Sequence, residues 1–296
     1  MNKPVRNSLA LAVVCAALTA CGGSSSGSSK GTLSLSLTDA PVTGFTSVEL
    51  TITGVTLKPA GGNAIVYTFD EAKSFDLLQL QNGVSASLLD EVSVPAGEYN
   101  WVRLAVDTSN MSVTETGGAE KTLEIPSGAE TGLKLVKGFT VAQGGVSDFT
   151  IDFDVRKSIV EPTGNSADYF LKPVLRLVDN LQVGTVSGSV DGILLSEQCA
   201  DSSVYAGSVY VFSGADATVD DLGSDAEPLV VVPVVYSEDN SAYQYTAAFL
   251  EAGDYTIGYT CDADDNEVDE TLNFYGVQNT GVAQDQTTTV DFVAVD

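Results

Sequence analysis

The chain contains no histidine, and that absence narrows its chemistry before any motif is read. Without imidazole there is no Ser-His-Asp or Cys-His nucleophilic system, no commonest general base and no usual zinc ligand. Cysteine is scarce, with 4 in 296 residues, and tryptophan occurs once. Basic residues are few: 13 Lys and Arg stand against 40 Asp and Glu, a net charge of −27. Nucleic-acid binding depends on basic contacts to phosphate, so a nucleic-acid partner is excluded. Such a surface also disfavours an anionic membrane face and suits a saline or cation-rich surrounding. The apolar run Leu9–Ala17 is too short to span a bilayer. Glycine-rich segments fall in linkers and turns, and none has the phosphate-loop pattern with its lysine.

Lys3 and Arg6 precede that short apolar run, and Leu18-Thr19-Ala20-Cys21 follows it with the small-residue pattern of a cleavage site. The pattern resembles the lipobox of bacterial lipoproteins, which are cut before the cysteine and acylated on its thiol. The resemblance implies a leader at 1–20, a lipidated Cys21 as the new N-terminus, and a membrane partner reached through lipid alone. Bacterial lipoproteins carry several acyl chains, which stable anchoring requires. Gly22 follows Cys21, where an Asp would mark inner-membrane retention, so the expected location is the outer membrane. Losing Lys3 and Arg6 leaves 11 bases against 40 acids, a net of −29. With Cys15 removed and Cys21 acylated, Cys199 and Cys261 remain, and an oxidising compartment pairs them. The alternative is two buried reduced thiols.

Residues 21–30 form a Gly/Ser tether with a mean span of roughly 15–18 Å. From Gly31 the period is two. Leu33, Leu35 and Leu37 alternate with Thr32, Ser34 and Ser36, and Phe149, Ile151 and Phe153 alternate with Asp148, Thr150, Asp152 and Asp154. Val48–Ile52, Val55–Leu57, Ile65–Phe69, Val102–Val106, Leu133–Val141 and Phe170–Val178 read as further strands, separated by Gly- and Pro-rich turns. Only Val84–Glu91 hints at a short helix. The fold class is all-β, with two antiparallel β-sandwiches, 31–180 and 181–296. In the second, Val209–Phe212, Leu229–Val235, Tyr243–Phe249, Tyr255–Cys261, Thr271–Tyr275 and Thr288–Val295 give an Ig-like or transthyretin-like series. Ala96-Gly97-Glu98-Tyr99 and Ala252-Gly253-Asp254-Tyr255 echo one another, each expected to place a tyrosine hydroxyl on backbone near a turn.

Gly31-Thr32-Leu33-Ser34-Leu35-Ser36-Leu37-Thr38-Asp39-Ala40-Pro41 resembles the opening of a bacterial and archaeal lipoprotein family called domain of unknown function 4382. Pro95–Tyr99, Ile125–Gly128 with Gly132–Leu135, Ile151–Ser158 and Leu171–Arg176 fit the same family in order. The resemblance covers about 31–178, and implies fold and placement but no activity. Ala252–Ile257 is similar to carboxypeptidase-regulatory-like and transthyretin-like modules, which are usually non-catalytic.

Three sets of side chains invite chemistry. Asp152 and Asp154 share one strand face and offer hard oxygens for Ca²⁺ if loops bearing Asp39 or Asp107 converge; otherwise they pair with Arg103, Arg156 or Lys157. Asp262, Asp264 and Asn266 have an EF-hand-like 1, 3, 5 spacing, but Glu267 and Asn273 break the motif, leaving a cation-binding loop or a solvated turn. Asp216–Glu227, with Asp220, Asp221 and Asp225, reads the same way. Tyr99, Trp101 and Arg103 are expected on one face, as a sugar or peptide platform or as packing. The expected role is non-enzymatic, structural or surface-binding, with no cofactor and a protein or glycan partner. A calcium-dependent adhesin or glycan binder is the alternative, and a hydrolase built on paired carboxylates is the third reading.

Overall fold

The computed structural model describes residues 29–40, 44–126, 132–162, 164, 168–264 and 268–294. Among the described residues the protein is nearly all β, with 57% in strands and 6% in helices. No helix among the described residues is long and apolar enough to cross a membrane.

Alternation builds the first sandwich. The Lys30–Ala40 strand lies between Val146–Asp154 and Ala86–Pro95, with Leu175–Asp179 beyond, in a four-stranded sheet. A larger sheet is centred on the Phe45–Pro59 strand, which pairs with Ile65–Asp76, Gly97–Val106 and Ser112–Glu115. Leu33, Leu35 and Leu37 from one sheet and Leu50, Ile52 and Leu57 from the other are all buried in one core with Phe153. The stretches Val48–Ile52 and Val55–Leu57 are one strand, not two, joined by a register shift between Ile52 and Gly54. Glycine is required there because a Cβ on Gly54 would lie 2.3 Å from the Tyr67 carbonyl oxygen.

The second sandwich pairs the sheet Val235–Ser237, Ala242–Glu251, Val183–Val190, Thr287–Thr289 with the sheet Val230–Pro233, Ser208–Ser213, Gly253–Thr260, Tyr275–Val282. Val186, Tyr245, Ile257, Tyr259 and Phe292 fill its core. Cys199 and Cys261 form a disulfide. It joins the end of the Gly192–Gln198 helix to the residue after the Gly253–Thr260 strand.

Further expectations are corrected: Leu133–Val141 and Phe170–Val178, read as single strands, are each two short strands. Val84–Glu91 is not helical; Ala86–Pro95 is a strand on the edge of the first sheet. Thr271–Tyr275 is not a strand; Leu272 and Phe274 instead pack on Tyr210 and Phe212, and pairing starts at Tyr275. Most ladders are antiparallel, but Lys30–Ala40 with Val146–Asp154 is parallel, as is Val183–Val190 with Thr287–Thr289. Both echoed tyrosines behave as expected. Tyr99 Oη donates to the Pro95 carbonyl at 2.8 Å and Tyr255 Oη to that of Glu251 at 2.7 Å.

Candidate functional site

A group of charged residues of the first sandwich, Asp152, Asp154, Arg156, Lys157 and Arg176, lies around the end of the Val146–Asp154 strand. Phe149, Ile151 and Phe153 face the core, so Asp152 and Asp154 face away from it. The antiparallel ladder puts Arg176 opposite Asp152, and its Nε and Nη2 donate to Asp152 Oδ2 at 3.1 and 2.6 Å. Asp154 ends the strand and caps the single helical turn Val155–Ser158, accepting from the Lys157 backbone N–H at 3.4 Å. Its two oxygens also take a bidentate pair from Arg156, Nε at 3.0 Å and Nη2 at 3.1 Å. Arg156 is 4% exposed, an unusual depth for a guanidinium.

Asp39 lies beneath this cluster. It continues the inward row of Leu33, Leu35 and Leu37, and it is 6% exposed. Its Oδ1 accepts from the Val155 N–H at 3.2 Å, and among the described residues its Oδ2 has no partner. Burial, then the charge of Asp152, push its pKa well above the usual carboxylate range. Folding therefore favours its protonated form. The stability this adds is complete below the ordinary carboxylate pKa and is lost as pH rises toward the folded value. Asp39→Asn keeps an acceptor for Val155 and removes the charge. We expect it to melt a few degrees above the parent at pH 7, with the gap closing as pH falls. A pH series of thermal melts checks this; a destabilisation independent of pH would contradict it.

The cluster opens on a cleft of about 590 Å³, with Asp152, Lys157 and Arg176 on one wall and Phe212, Glu227 and Pro228 on the other. Lys157 Nζ pairs with Glu227 Oε2 across it. Burial lowers the Lys157 pKa. A second cavity of about 320 Å³ is lined by Phe45, Arg156, Tyr205, Tyr210, Leu222 and Asp264. Here Tyr210 Oη and the Leu222 N–H both donate to Asp264 Oδ2. Burial raises the pKa of both Tyr210 and Asp264, while the nearby charge of Arg156 pulls each back down. The Asp154–Arg156 pair thus joins the two cavities, and both cavities lie where the two sandwiches meet.

The residues singled out from sequence are not gathered at one place. Asp152 and Asp154 are side by side, but each carries its own arginine. Asp262 accepts from the Asn273 N–H at 2.7 Å and from its Nδ2 at 2.9 Å, a different set of partners from those of Asp264. Asn266 and Cys21 lie outside the described residues. Tyr99 leaves the face expected for it. The ladder with Phe45–Pro59 shifts register between Lys58↔Trp101 and Pro59↔Tyr99, which turns Tyr99 into the core, stacked on Phe139 with centroids 4.9 Å apart. Trp101 and Arg103 stay together, and the indole is in contact with the Arg103 guanidinium at 4.9 Å and Lys134 Nζ at 4.8 Å. A stacking sugar would have to compete with those cations.

Sequence reading missed Arg176 as the partner of Asp152, and it missed the burial of Arg156. It also missed Asp39 as a core-facing acid, although the signal was present: Asp39 keeps the parity of Leu33, Leu35 and Leu37.

Residues 30–173, just under half of the chain, match the family model described as domain of unknown function (DUF4382). The matched span contains Asp39, Asp152, Asp154 and Arg156 and stops short of Arg176. No curated protein matches the chain. Among solved structures it is similar to a leucine-rich repeat protein from Bacteroides thetaiotaomicron, at 15% identity over 91% of this chain and 26% of that one, TM-score 0.21. It is similar to the TIE protein of Bacillus anthracis, at 10% identity over 90% of this chain and 34% of that one, TM-score 0.20. The minor pilin GBS52 of Streptococcus agalactiae matches at 9% identity over 89% of this chain and 96% of that one, TM-score 0.20. The chain thus spans about a quarter to a third of the first two of these structures. Identities and scores this low carry nothing about activity.

Proposed function

We propose that this chain is a lipid-anchored, non-catalytic protein of the cell envelope, with two sandwich domains, 31–180 and 181–296, serving a structural or surface-binding role. Leu18-Thr19-Ala20-Cys21 and the Gly/Ser tether support the anchor. Gly22 after Cys21 supports sorting to the outer membrane. One observation carries the non-catalytic reading: Asp152 and Asp154, the acids on the cleft wall, are each taken up by a cation of the protein's own. Asp152 is held by Arg176, and Asp154 by Arg156 and a helical N-terminus. A hydrolase needs two carboxyls of opposite protonation facing one substrate, one of them free to give up a proton. Asp39, whose pKa burial pushes well above the usual carboxylate range, is buried on the core side of the sheet. Lys157 and Glu227 tie this cluster to the second sandwich, which suits a load-bearing or ligand-presenting protein.

The anchor is tested by Cys21→Ser. The parent is expected to fractionate with membranes, with an N-terminal peptide beginning at an acylated Cys21. The variant is expected in the soluble fraction with an unchanged circular dichroism spectrum. Mass spectrometry finding an unmodified Cys21 thiol or an uncleaved leader would overturn the proposal. Protease shaving of intact cells then separates a surface-facing role, with a protein or glycan partner, from a periplasmic one.

A further inference from the structure

Two acidic loops of the second sandwich, far apart in sequence, fold against each other. One connects the Ser208–Ser213 and Val230–Pro233 strands; the other follows Cys261. Their apolar residues explain the approach: Leu222 from the first and Leu272 and Phe274 from the second cover Tyr210 and Phe212 on the outer face of the sheet. This packing brings Asp220 and Asp221 up to Asp269, so that one carboxylate oxygen from each lies within 4.8 Å of the others.

Three carboxylates at that spacing repel one another, and among the described residues none of them takes part in an ion pair. Asp221 carries a second and independent sign. It is fully buried, at 0% exposure. Its Oδ2 accepts from the Glu270 N–H, whereas among the described residues its buried Oδ1 has no hydrogen-bond partner. A fully buried carboxylate oxygen with neither donor nor cation is strongly disfavoured. A cation seated among the three acids removes both the repulsion and the orphaned oxygen.

We propose that Asp220, Asp221 and Asp269 hold one calcium ion that ties the two loops together. Oxygens within 4.8 Å of one another can all lie near the 2.3–2.6 Å that Ca²⁺ takes from carboxylates. The ion completes its shell from water on the open side, where Asp269 is exposed. Calcium fits better than magnesium, which demands near-ideal octahedral geometry that two irregular loops do not impose. Zinc favours His and Cys ligands, and this chain has no His and holds Cys199 and Cys261 in a disulfide. The inference stands whether or not Cys21 is lipidated.

The test uses the full chain in detergent, stripped with EDTA and titrated calorimetrically with CaCl₂, alongside thermal melts in CaCl₂, MgCl₂ and NaCl at matched ionic strength. One site is expected, with a Kd of roughly 10⁻⁴–10⁻³ M as in extracellular modules, and a rise in Tm that magnesium and sodium do not reproduce. Asp221→Asn is expected to weaken binding by at least about tenfold, since it removes a charged ligand. Asp269→Asn, at an exposed position that leaves the core intact, is expected to weaken it likewise. Asp70→Asn, exposed in the other sandwich, is expected to bind as the parent does. Equal melting shifts in all three salts mean charge screening alone and overturn the site. So does unchanged calcium binding in a correctly folded Asp269→Asn variant.

Discussion

Arg156→Met is expected to lower the stability of the fold by about 3–5 kcal/mol, because it removes one partner of a buried ion pair and leaves the other charged. The arginine is almost fully enclosed, and the Asp154 side chain it grips is 19% exposed. Asp154 cannot respond by swinging out, since it also caps the turn that carries Arg156 itself. The loss spreads further, because the charge of Arg156 also favours the ionised form of Asp264, whose pKa burial already raises. At about 2–4 °C per kcal/mol for a chain of this size, the melting temperature should fall by roughly 10 °C. Urea unfolding at pH 7 measures this as a lower midpoint at unchanged slope. A double variant, Asp154→Asn with Arg156→Met, should recover part of the loss, because it no longer buries a lone carboxylate. A single-variant loss under about 1 kcal/mol would show that the pair behaves as an exposed one.

The same residues show what the sequence made legible. Strict alternation in Leu33–Leu37 and Phe149–Phe153 announces which side chains enter the core, because strand geometry has a period of two regardless of partners. That parity placed Asp152 and Asp154 together on the outward face. It says nothing about register, so Arg176 could not be identified as the residue opposite Asp152; that depends on how a distant strand docks. Parity also fails at bulges. The shift between Trp101 and Tyr99 sends the tyrosine inward and dissolves the expected three-residue platform. In Val84–Glu91, Leu88, Leu89 and the following acids look helical. Yet Lys30–Ala40 exposes a free edge that this segment completes, and tertiary pairing overrides local preference. The acidic loops are a fourth case. Each reads as a solvated turn alone, and only the apolar anchors Leu222, Leu272 and Phe274, arriving from both, make them one feature.

Replacing Cys199 and Cys261 together by Ala is expected to cost about 4 kcal/mol, from the loop entropy that a cross-link over a sequence separation of 62 residues removes from the unfolded chain. For a domain whose whole stability is about 5–15 kcal/mol, that is a large share. The local structure argues that the bond is placed where little else holds. The Gly192–Gln198 helix has two buried side chains, Leu194 and Leu195. At 7 residues it is too short to persist alone. The disulfide fixes its end against the Gly253–Thr260 strand, beside Tyr259, whose hydroxyl lies 3.1 Å from Cys199 Sγ and donates to the Ala206 carbonyl. Cys261 also opens the acidic loop, so freeing it loosens Asp264 from Tyr210 and Leu222. Thermal melts of the parent with and without dithiothreitol should differ by the same shift that separates the parent from the double variant, and the variant should not respond to reductant. The Val146–Asp154 cluster should keep its own unfolding signature, since the cross-linked loop lies entirely beyond it. If the reduced parent melts as the oxidised one does, the cross-link contributes nothing that packing around Tyr259 and Phe292 does not already supply.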